Sequence, residues 1–523
     1  MSPVARPQGR LLSCALLLAV AASCGDDGGT NPPKTGPGPE IGLPGVNVVT
    51  GASVTDTVLA APGQPLVVEV RGTDGRLVPG AIVRFESELP PDTTRPYEYA
   101  MYVCPVRPTR CGIDDEGRED GAYYGTETFA VDTTDADGRA EAALRFGTVT
   151  GPTGVVVGVA ARGLVDTVAY AVTAGAVGRV EFTPEDTVLF AGASYHPAAA
   201  ATDRFGNPRP DAVTIVGGSE HVAVGPGGQV TAAAVGRAFV LGRSQSFVDT
   251  AWDTIVPWGT IVAFGRYGEA SNAIVTVNLD GSDLRVVVPT SGFDGAVPSW
   301  APNGTEILYN EETAGVPRLA VIDPTGPRRF LLESSPEILL SRDGRFTRDG
   351  SAVYFYGETA GDEASPGPRG VWRAAADGSG SVLLAQTIGY YSGGQPAPAP
   401  DGQRLAYTDA GGIKVLSVAS GAVAKLNAAG LTPRWSPTGE WIAYVGVDGP
   451  LHVIHPDGTG DRVVSAPGRG YDMWLDWSPD GEWLIARPIV GSDPAGLELV
   501  RVSDGETLAL PFANQLYQPS WKP

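Results

Sequence analysis

The stretch WSPDGEWLIA, from Trp477 to Ala486, combines an aromatic residue, a tight-turn sequence and a short apolar run. Pro and Asp favour a turn, and Gly adopts the positive φ that such turns need. An equivalent stretch, WSPTGEWIAY, begins at Trp435. Further copies are WAPNGTEILY from Trp300, FTRDGSAVYF from Phe346 and APDGQRLAY from Ala399, and the chain ends on a partial copy, PSWKP, from Pro519. The stretch is therefore one unit of a repeat.

The repeat has the length of a β-propeller blade. Its turn glycines recur at intervals of about 40 to 50 residues, at Gly304, Gly350, Gly402, Gly439 and Gly481. An apolar strand follows each turn, and a second strand then leads to another tight turn, as in VNLDGSDL and HVIHPDGTG. Six such post-turn strands contain Ile261, Ile307, Val353, Leu405, Ile442 and Leu484. Because a blade is a four-stranded sheet, residues 258–523 are predicted to form six blades.

The partial copy at the end of the chain predicts how the ring closes. The strand GTIVAF from Gly259 matches GTEILY from Gly304, yet no tryptophan-bearing strand precedes it. The segment around Trp521 can supply that missing inner strand. Closure would remove an open sheet edge, which otherwise invites aggregation.

These repeats closely resemble those of the TolB-like six-bladed propellers of bacterial envelopes. The resemblance covers about half of the chain, and it implies a propeller fold and an envelope setting rather than an activity. The tryptophans are expected to pack between blades and not to contact a ligand. The fold class expected for the whole chain is all-β, with one or two sandwiches followed by a six-bladed propeller closed by the C-terminal strand.

Two modules are predicted before the propeller. In residues 46–175, apolar residues alternate with polar ones in LVVEVRG and RAEAALRF, and turn sequences such as DGRLVPG separate the strands, as in a β-sandwich. Residues 176–257 repeat this pattern around TDRFGNPRPDAV. Both resemble bacterial Ig-like domains of the invasin and intimin type. The first is interrupted by an insertion at residues 86–128, which is rich in tyrosine and acidic residues.

The N-terminus resembles a bacterial lipoprotein signal. Arg6 and Arg10 precede a short apolar run, and AASC then ends at Cys24. The resemblance implies that residues 1–23 are removed, that Cys24 is lipidated and that residues 24–45, rich in Gly and Pro, are a tether. Glycine after the cysteine favours the outer membrane. Ordinary signal-peptidase cleavage is the alternative.

Two further cysteines, Cys104 and Cys111, lie close together in CPVRPTRC. In an exported chain this isolated pair is expected to form a disulfide, because there is no second pair or nearby histidine to complete a zinc site. The formal charge of −22 argues against nucleic acid as a partner, since phosphates would be repelled.

No catalytic residues, cofactor or metal ligands are predicted. The S-x-D-x-G spacing of sialidase boxes is absent from WSPDG, and GYYSGG lacks the first glycine of a nucleophile elbow. His452 and His455 lie three apart in a predicted strand and would point to opposite faces.

A ligand is expected at the propeller mouth, where the chain enters each inner strand, because those loops converge on the axis. The residues just upstream of the repeats are Phe293, Asp294, Arg342, Arg345, Tyr390, Tyr391, Tyr471, Asp472 and Tyr517. The leading hypothesis is a non-catalytic, lipid-anchored envelope protein whose propeller binds a protein, peptide or glycan. The alternatives are an adhesive surface protein that binds through the insertion, and a propeller enzyme that cleaves glycans or peptides.

Overall fold

The computed structural model describes residues 42–88, 100–106, 128–266, 272–289, 295–313, 315–333, 337–361, 367–388, 393–410, 412–490, 493–494 and 496–523. They form β-strands joined by turns, with short 3-10 turns at Ala160–Arg162, Pro226–Gly228 and Pro511–Ala513. Across these ranges, the structure contains no helix long and apolar enough to cross a membrane. The chain divides into two compact units, with the boundary between Thr173 and Ala174.

The first unit is a sandwich of two antiparallel-rich sheets. Its strands are β1 (Gly45–Thr50), β2 (Thr55–Thr57), β3 (Leu66–Arg71), β4 (Ile82–Ser87), β5 (Met101–Cys104), β6 (Phe129–Thr133), β7 (Arg139–Phe146), β8 (Gly151–Val159) and β9 (Leu164–Thr173). One sheet has the order β1-β3-β7-β5 and the other β2-β9-β8-β4-β6. Val68 and Ala142 of the first sheet pack on Val83 and Val157 of the second. The alternating sequence pattern thus buries one face of each sheet.

The second unit begins with another small β-module. Its strands are β10 (Val177–Phe182), β11 (Asp186–Phe190), β12 (Ser194–Tyr195), β13 (Ala199–Asp203), β14 (Thr214–Gly217), β15 (Val222–Val224), β16 (Val230–Ala232), β17 (Gly236–Ser244) and β18 (Phe247–Val256). They form sheets ordered β11-β18-β17-β14, β12-β16-β15 and β10-β13. Phe182, Val230 and Val240 bring the three sheets into one core.

The propeller strands follow in chain order. They are β19 (Thr260–Gly265), β20 (Ala273–Asn278), β21 (Arg285–Pro289), β22 (Ser299–Trp300), β23 (Ile307–Thr313), β24 (Val316–Ile322), β25 (Arg328–Phe330), β26 (Ile338–Phe346), β27 (Ala352–Thr359), β28 (Arg369–Ala375), β29 (Val382–Gln386), β30 (Gly393–Pro398), β31 (Arg404–Asp409), β32 (Gly412–Ser417), β33 (Val423–Trp435), β34 (Ile442–Gly446), β35 (Leu451–Ile454), β36 (Arg462–Val463), β37 (Gly470–Trp477), β38 (Trp483–Val490), β39 (Asp493–Pro494), β40 (Glu498–Arg501), β41 (Thr507–Ala509) and β42 (Leu516–Trp521).

These strands form six blades, as the sequence predicted. From the inner to the outer strand, blade 1 is β42-β19-β20-β21, blade 2 is β22-β23-β24-β25 and blade 3 is β26-β27-β28-β29. The long strand β33 ends blade 4 (β30-β31-β32-β33) and also begins blade 5 (β33-β34-β35-β36). Blade 6 is β37-β38-β40-β41, with β39 paired to β38. The C-terminal strand β42 pairs with β19, with Trp521 opposite Ile261, so the predicted closure is confirmed.

The repeated aromatic residue packs each blade onto the one before it. Trp477 lies among Ala443 of blade 5 and Leu484 of its own blade. Trp435 and Trp300 occupy the same place between blades 4 and 5 and between blades 1 and 2. The prediction that these aromatics belong to the core is therefore confirmed.

Blade 4 shows a shift of one residue from the sequence alignment. Pro398 pairs with Leu405 just as Trp300 pairs with Ile307. The anchor position of this blade is thus Pro398 and not Ala399. The sequence alignment missed it because the aromatic residue that marks the position elsewhere is absent.

The turn glycines have two structural roles. Gly481 has φ of +77°, and a Cβ there would lie 3.5 Å from Cδ of Pro437 in the preceding blade. Gly439, with φ of +73°, meets Pro400 in the same way at 3.6 Å. Glycine therefore supplies the left-handed turn and allows the neighbouring proline to approach.

The second module packs on the edge of blades 1 and 6. Phe190 stacks on Trp258 with ring centroids 4.1 Å apart, and the Trp258 indole donates a 3.0 Å hydrogen bond to the Ala191 carbonyl. Phe190 and Val256 share a hydrophobic core with Ile261 of blade 1 and residues of blade 6. This shared core explains why the module and the propeller form one compact unit.

Candidate functional site

The inner strands of five blades carry a residue with positive φ three positions before the anchor. These residues are Val297 (φ 39°), Asp343 (55°), Gln395 (51°), Thr432 (50°) and Gln518 (53°). In four of these strands the pairing register shifts at this position. Each strand is therefore locally bulged, which turns its backbone out of the normal ladder.

The bulges are tied to one another from blade to blade. The N–H of Val297 in blade 2 donates to Oε1 of Gln518 in blade 1 at 2.8 Å. The N–H of Thr432 in blade 5 donates to Oε1 of Gln395 in blade 4 at 3.2 Å. These side chains are buried, and they satisfy N–H groups that the bulges remove from the ladder.

The residues directly before the anchors meet across the centre of the ring. Arg345 of blade 3 points its Nη1 at Oγ of Ser520 in blade 1, at 3.5 Å. Blades 1 and 3 are not neighbours, so this contact crosses the axis. Arg434 of blade 5 and Asp476 of blade 6 occupy the equivalent position. We refer to Asp343, Arg345, Arg434, Asp476 and Ser520 as the axial site.

Arg434 is the most buried cation of this site, with 6% of its surface exposed. Its Nη1 donates to the Pro433 carbonyl at 2.9 Å, whereas its buried Nε has no hydrogen-bond partner among the residues that the structure describes. Burial, and then the charge of Arg345, lowers the pKa of Arg434 to about 9, against the opposing charges of Asp476 and Asp343. Two like charges therefore act on one another at the centre of the ring.

The pKa of Arg345 is also lowered by burial, and Asp476 and Asp343 offset part of that shift. Both aspartates are engaged by other groups. Asp476 accepts the backbone N–H groups of Trp477 and Trp521, each at 3.0 Å. The N–H of Asp343 donates to Asn310 Oδ1 at 2.9 Å, and Asn310 Nδ2 lies 3.4 Å from Asp343 Oδ1. The Asp476 carboxylate thus holds two backbone N–H groups, Asp343 is held by the Asn310 side chain, and the charges of both aspartates act on the arginines.

Arg348 crosses the centre of the ring at the end where the inner strands finish in their turns. This residue stands where the other repeats have proline, and its Nη1 donates to the Pro437 carbonyl at 2.8 Å. The bond joins blade 3 to blade 5 past blade 4. Access to the axial site is therefore expected from the opposite end, where each inner strand begins.

The mouth residues predicted from the sequence have different surroundings. Arg345 belongs to the axial site. Arg342 lies opposite Tyr356 in the β26–β27 ladder. Asp472 is half-buried and accepts the Met473 N–H at 2.7 Å.

The two predicted tyrosines in the described chain are used in packing. Tyr471 is only 3% exposed, and its hydroxyl donates to Glu498 Oε1 at 2.5 Å. Burial and this carboxylate raise the pKa of Tyr471. The Tyr517 ring meets the edge of Phe264 at 5.1 Å, and the Arg487 guanidinium lies over it at 5.0 Å. Tyr471 is therefore not a surface residue of the mouth, because its hydroxyl is hydrogen-bonded inside the blade.

Several predicted residues lie outside the described ranges. They are Phe293, Asp294, Tyr390, Tyr391, Cys24 and Cys111. Cys104 is fully buried in β5, and its pairing with Cys111 stays a prediction. Within the described ranges, no group of three or more His, Cys, Asp or Glu side chains could hold a metal ion.

The sequence did not lead us to predict Arg434 or Asp476. In blade 6 the predicted residues, Tyr471 and Asp472, lie further upstream of the anchor, and none was predicted in blade 5. A local pattern could have found this position. Four inner strands contain proline two residues before the anchor, as in VPSW, QPAP, TPRW and QPSW. The residue between this proline and the anchor is Arg434 in blade 5 and Ser520 in blade 1, so the pattern marks the position of both.

No protein-family model matches this chain, and no curated protein matches it. Among solved structures, the chain is similar to TolB from Acinetobacter baumannii, with 14% identity over 60% of this chain and 83% of that one and a TM-score of 0.42. It is also similar to a chain of the nidogen/laminin complex (10% identity, 51% and 99% covered, TM-score 0.39). A third similar structure is an oligogalacturonate lyase in complex with manganese (16% identity, 48% and 73% covered, TM-score 0.31). The six-bladed ring follows from the strand pairing itself, and these likenesses assign no activity to this chain.

Proposed function

We propose that this chain is a non-catalytic, lipid-anchored protein of the bacterial envelope and that its propeller binds a partner at the mouth. The observation that carries the proposal is the axial site. Charged side chains from three blades converge there at the centre of the ring, and Arg348 crosses the ring at the turn end. A concave site with a few convergent polar groups is the usual form of a binding site.

The partner is a protein, peptide or glycan, and the sandwich modules serve as spacer or second contact surface. The lipid on Cys24 would hold the chain at the outer membrane. The acidic charge of −22 disfavours nucleic acid as the partner. Catalysis is not part of the proposal, because the sequence has neither the spacing of a sialidase box in WSPDG nor a nucleophile elbow in GYYSGG.

Binding through the first sandwich is the second candidate, and an exposed apolar strip favours it. Ile82, Val131 and Val165 are 65%, 51% and 72% exposed. They line a groove of about 700 Å³ together with Arg84 and neighbouring backbone. Contiguous apolar surface of this kind often marks an interaction site.

Photocrosslinking from exposed valines would separate the two candidates. Val447 lies 65% exposed in the β34–β35 connection, next to the start of β37, where the Tyr471 N–H donates to the Gly449 carbonyl. A benzoylphenylalanine at Val447 therefore reports on the mouth. Val131 reports on the sandwich strip, and Val382, 56% exposed on an outer strand, is the matched control.

The full lipidated chain would be irradiated in intact cells and its adducts resolved by mass. We expect an adduct from Val447 and none from Val382. An adduct from Val131 alone would transfer the binding surface to the sandwich. Equal labelling from all three positions would contradict a localised site.

A further inference from the structure

Two guanidinium groups on the propeller axis have no ion-pair partner within the described part of the chain. Among the described residues, Arg345 makes one hydrogen bond, the 3.5 Å contact with Ser520. In the same part of the chain, Arg434 makes one bond, to a backbone carbonyl, and its buried Nε has no partner. Arg469 of blade 6, by contrast, is paired with the buried carboxylate of Glu498. The axial pair thus differs from the structural ion pairs of the same fold.

Such a pair is costly unless an anion joins it. The charges of Asp343 and Asp476 offset part of the cost of burial, but in the described residues neither carboxylate is hydrogen-bonded to either guanidinium, so the hydration that these donors lose is not replaced. The two positive charges also act on each other. Guanidinium presents a planar fork of donors that matches the two oxygens of an oxyanion. An anion entering from the mouth would meet both forks and relieve their repulsion.

We propose that the axial site binds a carboxylate group of a peptide between Arg345 and Arg434. The inference rests on the proposed function, because it names the chemistry by which the mouth recognises its partner. A singly charged carboxylate suits the site better than a phosphate dianion, because the aspartates Asp343 and Asp476 already carry negative charge there. A second negative charge on the ligand would be repelled by them.

A peptide suits the mouth better than an acidic sugar. Sugar rings bind on open aromatic faces, and the described aromatics near the inner strands are covered. Tyr471 and Trp474 are 3% and 7% exposed. Tyr517 carries Arg487 over its ring. An extended chain with a carboxylate at its tip needs no such platform.

Thermal melting of the detergent-solubilised full chain tests this directly. The probe is N-acetyl-triglycine with a free carboxylate, and its C-terminal amide is the matched control, each at about 20 mM and constant ionic strength. For a Kd of about 1 mM, the acid should raise Tm by about 2 °C. The amide should leave Tm unchanged. A rise with the amide equal to that with the acid would overturn the carboxylate site.

Three variants locate the effect. Arg434→Met and Arg345→Met should each abolish the shift. Arg285→Met should retain it, because this residue is 68% exposed in its side chain and pairs with Asp283 on the outermost strand of blade 1. If Arg434→Met does not fold, Arg345→Met still decides the matter, since Arg345 is partly exposed. A shift that survives in Arg345→Met contradicts the proposal.

Two further probes identify the source of the anion. Inorganic phosphate or glucuronate that raised Tm more than N-acetyl-triglycine would overturn the peptide carboxylate in favour of a phosphate or an acidic glycan. The result is independent of the partner test. A Val447 adduct without a Tm shift by N-acetyl-triglycine would contradict only the axial carboxylate site. A Tm shift without a Val447 adduct would contradict only the binding of a partner at the mouth.

Discussion

We expect Trp521→Ala to destabilise the propeller, because this residue fills the joint at which the ring closes. Trp521 is 4% exposed and shares a core with Ile261 of blade 1 and with Trp483 and Ile485 of blade 6. Its indole Nε1 has no hydrogen-bond partner in the described part of the chain, and its backbone N–H bond to Asp476 does not require the side chain. The substitution therefore removes packing and apolar burial without removing a side-chain hydrogen bond.

The expected loss is about 3–5 kcal/mol of unfolding free energy, as for a buried tryptophan replaced by alanine. The compact unit Ala174–Pro523 should unfold with an entropy of about 0.7 kcal/mol/K, at roughly 2.1 cal/mol/K per residue. The melting temperature should accordingly fall by about 4–7 °C. The sandwich before Thr173 lies in the other compact unit, so its transition should not move.

Differential scanning calorimetry of the full chain would resolve the two transitions. Trp258→Ala is the matched control, because Trp258 is 70% exposed and should contribute only about 1 kcal/mol through its stacking and its one hydrogen bond. Its Tm should fall by about 1–2 °C. If Trp521→Ala melted no lower than Trp258→Ala, the closing joint would not be a stabilising core and the reasoning would be refuted.

Three other outcomes follow from the same chain. Cys24→Ala should move the protein from the membrane to the soluble fraction, and a variant that stayed with the membrane would contradict lipid anchoring. Deletion of Tyr517–Pro523 should leave β19 with an open edge and produce soluble aggregates in size-exclusion chromatography; a monomeric product would count against closure. Burial raises the pKa of Asp253 in the folded protein, against the hydrogen bond from Tyr195. The charged carboxylate therefore lowers the free energy of unfolding above the folded pKa, and this loss disappears as the pH falls to the pKa of the unfolded chain. Asp253→Asn should therefore raise Tm at pH 7 and match wild type near pH 3.5 (roughly the ordinary Asp pKa), and a lower Tm at pH 7 would refute it.

The blades could be predicted from the sequence because their causes are local. A turn with positive φ needs glycine, and an apolar strand beside it needs a run such as that around Ile442. Both recur with every blade, so one uncertain copy is supported by the others. The closing strand was equally predictable. Trp521 lies in a copy that contains only the inner strand, and Ile261 lies in a copy that lacks it.

The axial site could not be predicted in the same way. Whether Arg345 and Ser520 meet depends on the tilt of non-neighbouring blades, and nothing in their sequence separation encodes that distance. Tyr471 shows the opposite failure. An aromatic residue upstream of an anchor suggests an exposed loop, yet the Tyr471 hydroxyl donates a hydrogen bond to Glu498 and the tyrosine is buried in the blade. The partner of a polar side chain, rather than its position in the repeat, decides whether it is exposed.

Two residues of the axial site, Asp476 and Ser520, connect it to the joint at which the ring closes. Asp476 of blade 6 accepts the N–H of Trp521 in the last strand, and Ser520, one residue earlier, is the contact of Arg345. A carboxylate held by Arg345 and Arg434 would therefore connect blades 3 and 5 directly beside the point where the chain closes its ring. Binding energy gained there would oppose opening of the joint, because an opened ring would separate the two arginines. If the axial site binds a carboxylate as proposed, we therefore expect its occupancy to make the C-terminal strand more resistant to release.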